Sequence, residues 1–199
     1  MASDPSSSST RDRIIAAAIE VFEADGIRGT SLERVADAAG VHRVTLHRIF
    51  SGGRDQLVAE VLIARAVQVL VRSLASADDD RSTSELIVAT FTSFVMLARA
   101  DRLIHEGICS DAAQLALAPE RSSRLYELTI TWGARIAPAA ARDRIEFVTS
   151  PERITDLLAR TLITLVREPG IVATEDDVRA YLADFIVPAI TRPLPERPA

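Results

Sequence analysis

Apolar residues recur at three- and four-residue intervals along most of the chain, the period at which one face of an α-helix is buried. The first run lies in RDRIIAAAIEVFEAD, where Ile15, Ala18, Ile19 and Phe22 share a face; Thr10 is a good N-cap and Gly26 stands beyond the end. The next stretch, TSLERVADAAGVHRVTLHRIF, covers residues 30–50. Thr30 precedes Glu33 by three residues, the spacing of a capping box, which predicts a helix from Ser31. Leu32, Val35, Ala36 and Ala39 form its apolar face, and Gly40 follows where a left-handed residue commonly ends a helix. Val44, Leu46, Ile49 and Phe50 then mark a second short helix among His42, Arg43, Thr45, His47 and Arg48. Helix, glycine-bearing turn and helix make up a helix-turn-helix unit, whose second helix enters the DNA major groove.

After a turn at Ser51–Asp55, Leu57, Val58, Val61, Leu62 and Val69 carry a long helix to about Leu74. It starts beside the helix-turn-helix and ends in the rest of the chain, so it is a natural mechanical link. Residues 75–84, with Asp78, Asp79 and Asp80, read as a solvated loop: no histidine or further carboxylate is spaced to complete a metal shell. Residues 84–100 are apolar almost all round, as in a helix at the centre of a bundle. A short helix at Leu103–Cys109 and a loop through Pro119 follow. Leu125, Leu128, Trp132 and Ile136 then predict a helix over 120–136 that Pro138 stops. Ser150-Pro151 opens another, with Ile154, Leu157, Leu158, Thr161, Leu162 and Leu165 as its stripe. Thr174 and Asp177 cap the last, which holds Val178, Tyr181, Leu182, Phe185, Ile186 and Ala189.

No alternating strand pattern and no tandem repeat interrupts this series. The expected fold is all-α, with residues 10–56 as a three-helix DNA-binding domain and 57–192 as a helical bundle. Serine-rich residues 1–9 read as a disordered tail and 193–199 as a flexible one.

Charge sharpens the picture at one place. The chain carries a formal charge of −5, which argues against nonspecific coating of nucleic acid but not against a local basic patch. Such a patch exists: from Ala38 to Arg54 there is no acidic residue, but there are three arginines and two histidines. Phosphates require a clearing of this kind. All 23 basic residues are arginine, so phosphate contacts fall to arginine or to neutral donors.

Other chemistry is thinly supported. The single cysteine, Cys109, excludes an intramolecular disulfide, fits a reducing cytoplasm and reads as a small buried hydrophobe. No secretory signal and no span of about 20 apolar residues is visible, so a soluble cytoplasmic protein without membrane contact is expected. His42, His47 and His105 do not stand at metal-ligand spacing, and neither a serine elbow nor a phosphate-cradling glycine loop is present. His105 and Cys109 share a helical face, the one arrangement on which an all-α enzyme could rest. The alternatives to a regulator are therefore a helical protein-interaction module and, with less support, such an enzyme. No cofactor and no metal is expected.

Residues 10–60 resemble the DNA-binding domain of the TetR family of bacterial transcriptional regulators. The resemblance rests on T-S-x-x-x-V-A-x-A-A-G-V from Thr30, T-L-x-R-x-F from Thr45, and F-x-G-G-R-D-x-L from Phe50. It implies that Arg43, Val44 and Thr45 face base edges. It further implies that His47 reaches a phosphate, that Arg54 makes the basic phosphate contact, and that Thr30 caps the second helix near the backbone. His42 and Arg48 complete the expected DNA-binding set. His42, Val44 and Ile49 depart from the residues common at their positions, so no operator sequence transfers.

The resemblance also implies a homodimeric repressor, released from a palindromic operator by an unknown small-molecule effector. Its interface would use Ile154, Leu157, Leu158, Thr161, Leu162 and Leu165 with Val178, Tyr181, Leu182, Phe185 and Ile186. The alternative role for these stripes is internal core, with some of each stripe expected at the dimer contact. A ligand cavity is expected among Phe94, Met96, His105, Cys109, Tyr126, Trp132 and Arg135, each of which also suits plain core or surface.

Overall fold

Capping side chains and left-handed glycines set several helix ends. The computed structural model describes residues 5–75, 80–110, 113, 116 and 123–195. In it, α1 (Pro5–Asp25), α2 (Leu32–Ala38), α3 (Arg43–Ile49) and α4 (Gly53–Ala75) follow one another through short corners. Then come α5 (Thr83–Ala100), α6 (Arg102–Ile108) and α7 (Ser123–Arg142). A short strand β1 (Ile145–Phe147) leads to α8 (Pro151–Arg167) and α9 (Glu175–Tyr181). A π-helical turn (Leu182–Ile186) joins α9 to α10 (Val187–Ile190), and β2 (Thr191–Pro193) closes the series.

The fold is all-α, as expected, with four local differences. First, α1 begins at Pro5 and takes residues 5–9 from the expected tail; Met1–Asp4 lie outside the described residues. Second, α7 runs through Pro138 to Arg142 instead of stopping at Ile136. Pro138 is exposed, so its ring sits on the solvent side and the carbonyl it leaves without a donor can be hydrated. Third, β1 and β2 pair antiparallel, Glu146 opposite Arg192. Strands of three residues carry no periodicity, so only the return of the chain after α10 brings them together. Fourth, the last helix changes pitch over Leu182–Ile186, where Val187 N–H reaches the carbonyl of Leu182. Pro188, next along, lacks an N–H and would crowd the Asp184 carbonyl in an α-helix, and the wider turn relieves this.

The chain forms two compact units, and they do not coincide with a boundary at 56/57. One comprises Met1–Ala66 and Asp101–Arg121, the other Val67–Ala100 and Ser122–Ala199. In the first, Ile14, Ala18, Phe22, Val35, Leu46, Phe50 and Leu57 are buried together as the core. Charged groups then attach α6 to it. Arg65 of α4 pairs with Glu23 of α1 at 2.8 Å and with Asp101, the N-cap of α6, at 2.7 Å. Glu106 accepts the Ile27 backbone N–H at 3.0 Å.

The second unit is built around α5, which touches α7, α8, α9 and α10. Its Leu86, Ile87, Phe91, Phe94 and Val95 are buried, as the all-round apolar pattern anticipated. α5 is long and apolar enough to cross a membrane by composition, but half of that window is buried inside this unit, the condition of a core helix. Arg99, near its end, donates to the carbonyls of Leu165, Val172 and Ala173, which closes the C-terminal end of α8 and the following loop. Burial lowers the pKa of Arg99 below its ordinary value. Asp78 and Asp79 lie outside the described residues, and Asp80 is exposed in a turn.

Candidate nucleic-acid interface

The helix-turn-helix is set by α2. Ser31, not Thr30, is its N-cap: the Ser31 hydroxyl accepts the Arg34 N–H at 3.2 Å. Thr30 is buried and donates to the Gly26 carbonyl at 2.9 Å, which ties down the corner after α1. Its hydroxyl is therefore turned inward rather than toward DNA. α2 ends as anticipated, with Gly40 at φ 61° and Val41 N–H on the Ala36 carbonyl at 3.0 Å.

α3 starts at His42, whose side chain makes no capping bond. Leu46 and Phe50 anchor it in the core of its unit, leaving the opposite face wet. That face holds Arg43, Val44, His47 and Arg48 at helical spacing, all exposed, with Val44 71 % exposed. His42 is exposed at its start and Thr45 is half-buried at its side. An exposed valine between two arginines has no packing role here; it suits contact with an apolar group, such as a thymine methyl, flanked by hydrogen-bonding base edges.

Arg54 is placed differently from the expectation. It is partly buried, and its terminal nitrogens donate to the carbonyls of Thr30 and Ile27. The side chain staples the corner between α1 and α2 from inside, because those two carbonyls end a turn and lack helical partners. The acid-free clearing read along the sequence is also not acid-free in space. Glu33, one helix back, pairs with Arg43 at 2.6 Å. Only helix packing reveals that neighbour.

The second unit holds the interior candidates. Phe94 and Trp132 are buried, Met96 and Tyr126 half-buried, and Arg135 exposed. Glu152 accepts from the Tyr126 hydroxyl, and the nearby carboxylate charge raises the tyrosine pKa. Trp132 lies edge-on between Phe91 at 5.0 Å and Phe147 at 5.9 Å. Its indole N–H, with the hydroxyls of Thr90 and Thr92, is buried without a hydrogen-bond partner. Thr90 and Thr92 were not on the expected list, because threonine inside an apolar helix reads as filler. His105 and Cys109 are on α6 and its C-cap, in the other unit, and both are exposed. Cys109 is thus neither a buried hydrophobe nor part of the aromatic cluster. A groove of ≈ 730 Å³ opens beside α5 and α9, bordered by Arg81, Glu85, Val88, Asp176, Arg179 and Ala183, with none of the expected pocket residues on it. No cluster able to hold a metal ion occurs among the described residues.

The stripes of the last helices are mostly internal. Ile154, Leu158, Leu162 and Leu165 are buried within the protomer, as are Val178, Leu182 and Ile186. They belong to the core of this unit. What remains outside is Leu157, 37 % exposed, and Phe185, 62 % exposed, with Thr161 and Tyr181 half-buried. Tyr181 and Phe185 stack at 5.3 Å.

Residues 14–61 match the model of the bacterial regulatory proteins of the tetR family. This N-terminal segment is similar to the DNA-binding part of that family. The matched segment takes in α2 and α3, the helix-turn-helix.

Solved structures share its fold. The transcriptional repressor QsdR of R. erythropolis is 20 % identical with a TM-score of 0.66, over 89 % of this chain and 92 % of that one. The TetR-family repressor AlkX from Dietzia sp. strain DQ12-45-1b, implicated in biodegradation of n-alkanes, is 18 % identical with a TM-score of 0.62, over 89 % and 93 %. The regulator FadR from Bacillus subtilis, in complex with stearoyl-CoA, is 16 % identical with a TM-score of 0.51, over 86 % and 97 %. Comparison with curated protein sequences gives no match.

Proposed function

We propose that this protein is a TetR-family regulator, a cytoplasmic homodimeric repressor released from a palindromic operator by a mostly apolar small molecule. The observation that carries the operator reading is the wet face of α3. Arg43 and Arg48 supply forked donors for guanine or phosphate, His47 a donor for phosphate, and Val44 an apolar contact. His42 and Thr45 flank them. Arg54 acts from inside, by holding the corner on which α2 sits.

Two further observations support the finer parts. Leu157 and Phe185 are large apolar side chains left exposed on the last helices of the second unit, with Tyr181 stacked on Phe185, and a two-fold partner would cover them. Inside that unit, the Trp132 indole N–H is buried and unpartnered between Phe91 and Phe147, and the hydroxyls of Thr90 and Thr92 are likewise buried without a partner. Buried polar atoms of this kind are costly unless something hydrogen-bonds them, and an apolar ligand carrying a polar group would do so. The stearoyl-CoA bound to FadR is a ligand of that character. Release then requires the ligand to bind more tightly to the arrangement that fits DNA poorly.

Selection of random duplex DNA by the purified protein tests the reading. Recovery of a palindrome, weakened by Arg43→Ala and Arg48→Ala, supports it. A folded sample that enriches no sequence at low salt overturns it.

A further inference from the structure

Arg43 does not project freely from α3. Its Nη1 lies 2.6 Å from Oε1 of Glu33, in the first turn of α2, and its Nε donates to Nε2 of His47 at 3.4 Å. The guanidinium is thus gripped from two directions, by the preceding helix and by the next turn of its own. For His47 to accept, its Nε2 must be unprotonated, so the imidazole here serves the arginine before it serves any phosphate.

An acid in this place is otherwise a disadvantage. A carboxylate beside a DNA-reading helix repels phosphates and cancels the attraction of one arginine. Its effect on stability is small, since both side chains are more than half exposed. What the pair does supply is direction. A bidentate contact to guanine needs the planar fork at one angle, and a long side chain held at that angle loses less freedom on binding than a free one.

We propose that Glu33 is a specificity-determining positioning residue, which sets the Arg43 guanidinium, braced by His47, in the orientation that reads a guanine. This rests on the operator reading above. Arg43 without Glu33 keeps its charge but loses its aim, and drifts to phosphate contacts that are the same for every sequence.

The test uses the full chain, its selected duplex, and duplexes altered at each base pair. Arg43→Lys identifies the base pair that Arg43 reads. At that pair Glu33→Gln lowers discrimination by about tenfold, within what one bidentate contact supplies. Affinity for unrelated duplex is kept or raised, because one carboxylate has gone. Glu33→Asp restores part of the discrimination, and Glu33→Gln adds nothing in the Arg43→Lys background. Glu33→Gln with unchanged base preference overturns the proposal while leaving the operator reading intact. So does an equal further loss in the Arg43→Lys background, since Glu33 would then act through something else. A native protein with no base preference overturns the operator reading itself, and this inference with it.

Discussion

Oε2 of Glu106 accepts the Ile27 backbone N–H at 3.0 Å, so that a carboxylate on α6 closes the corner between α1 and α2. Arg102 holds the same carboxylate through its other oxygen at 2.7 Å. The corner therefore depends on a residue far along the chain. Glu106→Ala is expected to destabilise the first unit by about 1 kcal/mol, the low end for a bond to a charged group, because the site is partly solvated. Hydrogen exchange at Ile27 checks it: exchange should quicken there and not in α8.

That bond also has a pH signature. Arg102 first, and then the Ile27 N–H, hold the Glu106 pKa below its ordinary 4.5. A depressed carboxylate contributes stability that is fully present above the unfolded value and is lost as pH falls through the lower folded value. Asp143 behaves alike, lowered from 3.8 chiefly by the Thr83 backbone N–H and then by its hydroxyl. Denaturation midpoints should accordingly fall as pH drops below 4.5, with Glu106→Gln showing a shallower fall than the native protein.

Arg54 separates a staple from a phosphate contact. Its removal leaves the carbonyls of Thr30 and Ile27 short of donors and should cost about 1–3 kcal/mol. Affinity for DNA falls with the disordered corner. The slope of log affinity against log salt should stay as in the native protein, whereas loss of a phosphate contact lowers it by about 1. A slope lowered by that amount would show the side chain reaching DNA after all.

Leu182 and Phe185 lie three residues apart and should behave in opposite ways. Leu182 is buried in the protomer, so Leu182→Ala is expected to cost about 2–5 kcal/mol. Phe185→Asp should leave the protomer folded and shift a dimer toward monomer in sedimentation experiments, with Leu157→Glu adding to it. A Phe185→Asp protein that remains dimeric at low micromolar concentration places the interface elsewhere.

Thr90→Val replaces a buried hydroxyl that has no partner by a methyl of similar shape. Without ligand it should raise stability by about 1 kcal/mol, since an unmet polar group is removed. With ligand it should weaken effector release of DNA. Thermal unfolding of both proteins, without and with an effector found by screening against the operator complex, checks the two signs. A destabilised Thr90→Val protein would mean that the hydroxyl has a partner in solution.

The helices of this protein were legible because their signals are local. Gly40, the Thr174–Asp177 capping box and the all-round apolar α5 each act within a few residues, and each stands where the sequence placed it. The exposed face of α3 was legible for the same reason: Leu46 and Phe50 point inward, so Arg43, Val44, His47 and Arg48 point out. Pro138 misled because a proline's effect depends on whether its side of the helix is wet. Periodicity in the last helices shows that a face is apolar, not which neighbour covers it, and most of those stripes are buried within their own unit.

The sequence by itself determined the all-α class, the helix-turn-helix and the resemblance of residues 14–61 to the TetR family, since period, caps and a short motif carry them. Only the tertiary structure decided what Thr30, Arg54 and Glu33 do. The first two turn inward to carbonyls, and the third crosses to Arg43. It also decided that α6, with His105 and Cys109, belongs to the unit of the helix-turn-helix and Trp132 to the other. The physical reason is the same in each case. A polar side chain takes the partner that packing brings within about 3 Å, and that distance is not written in sequence spacing.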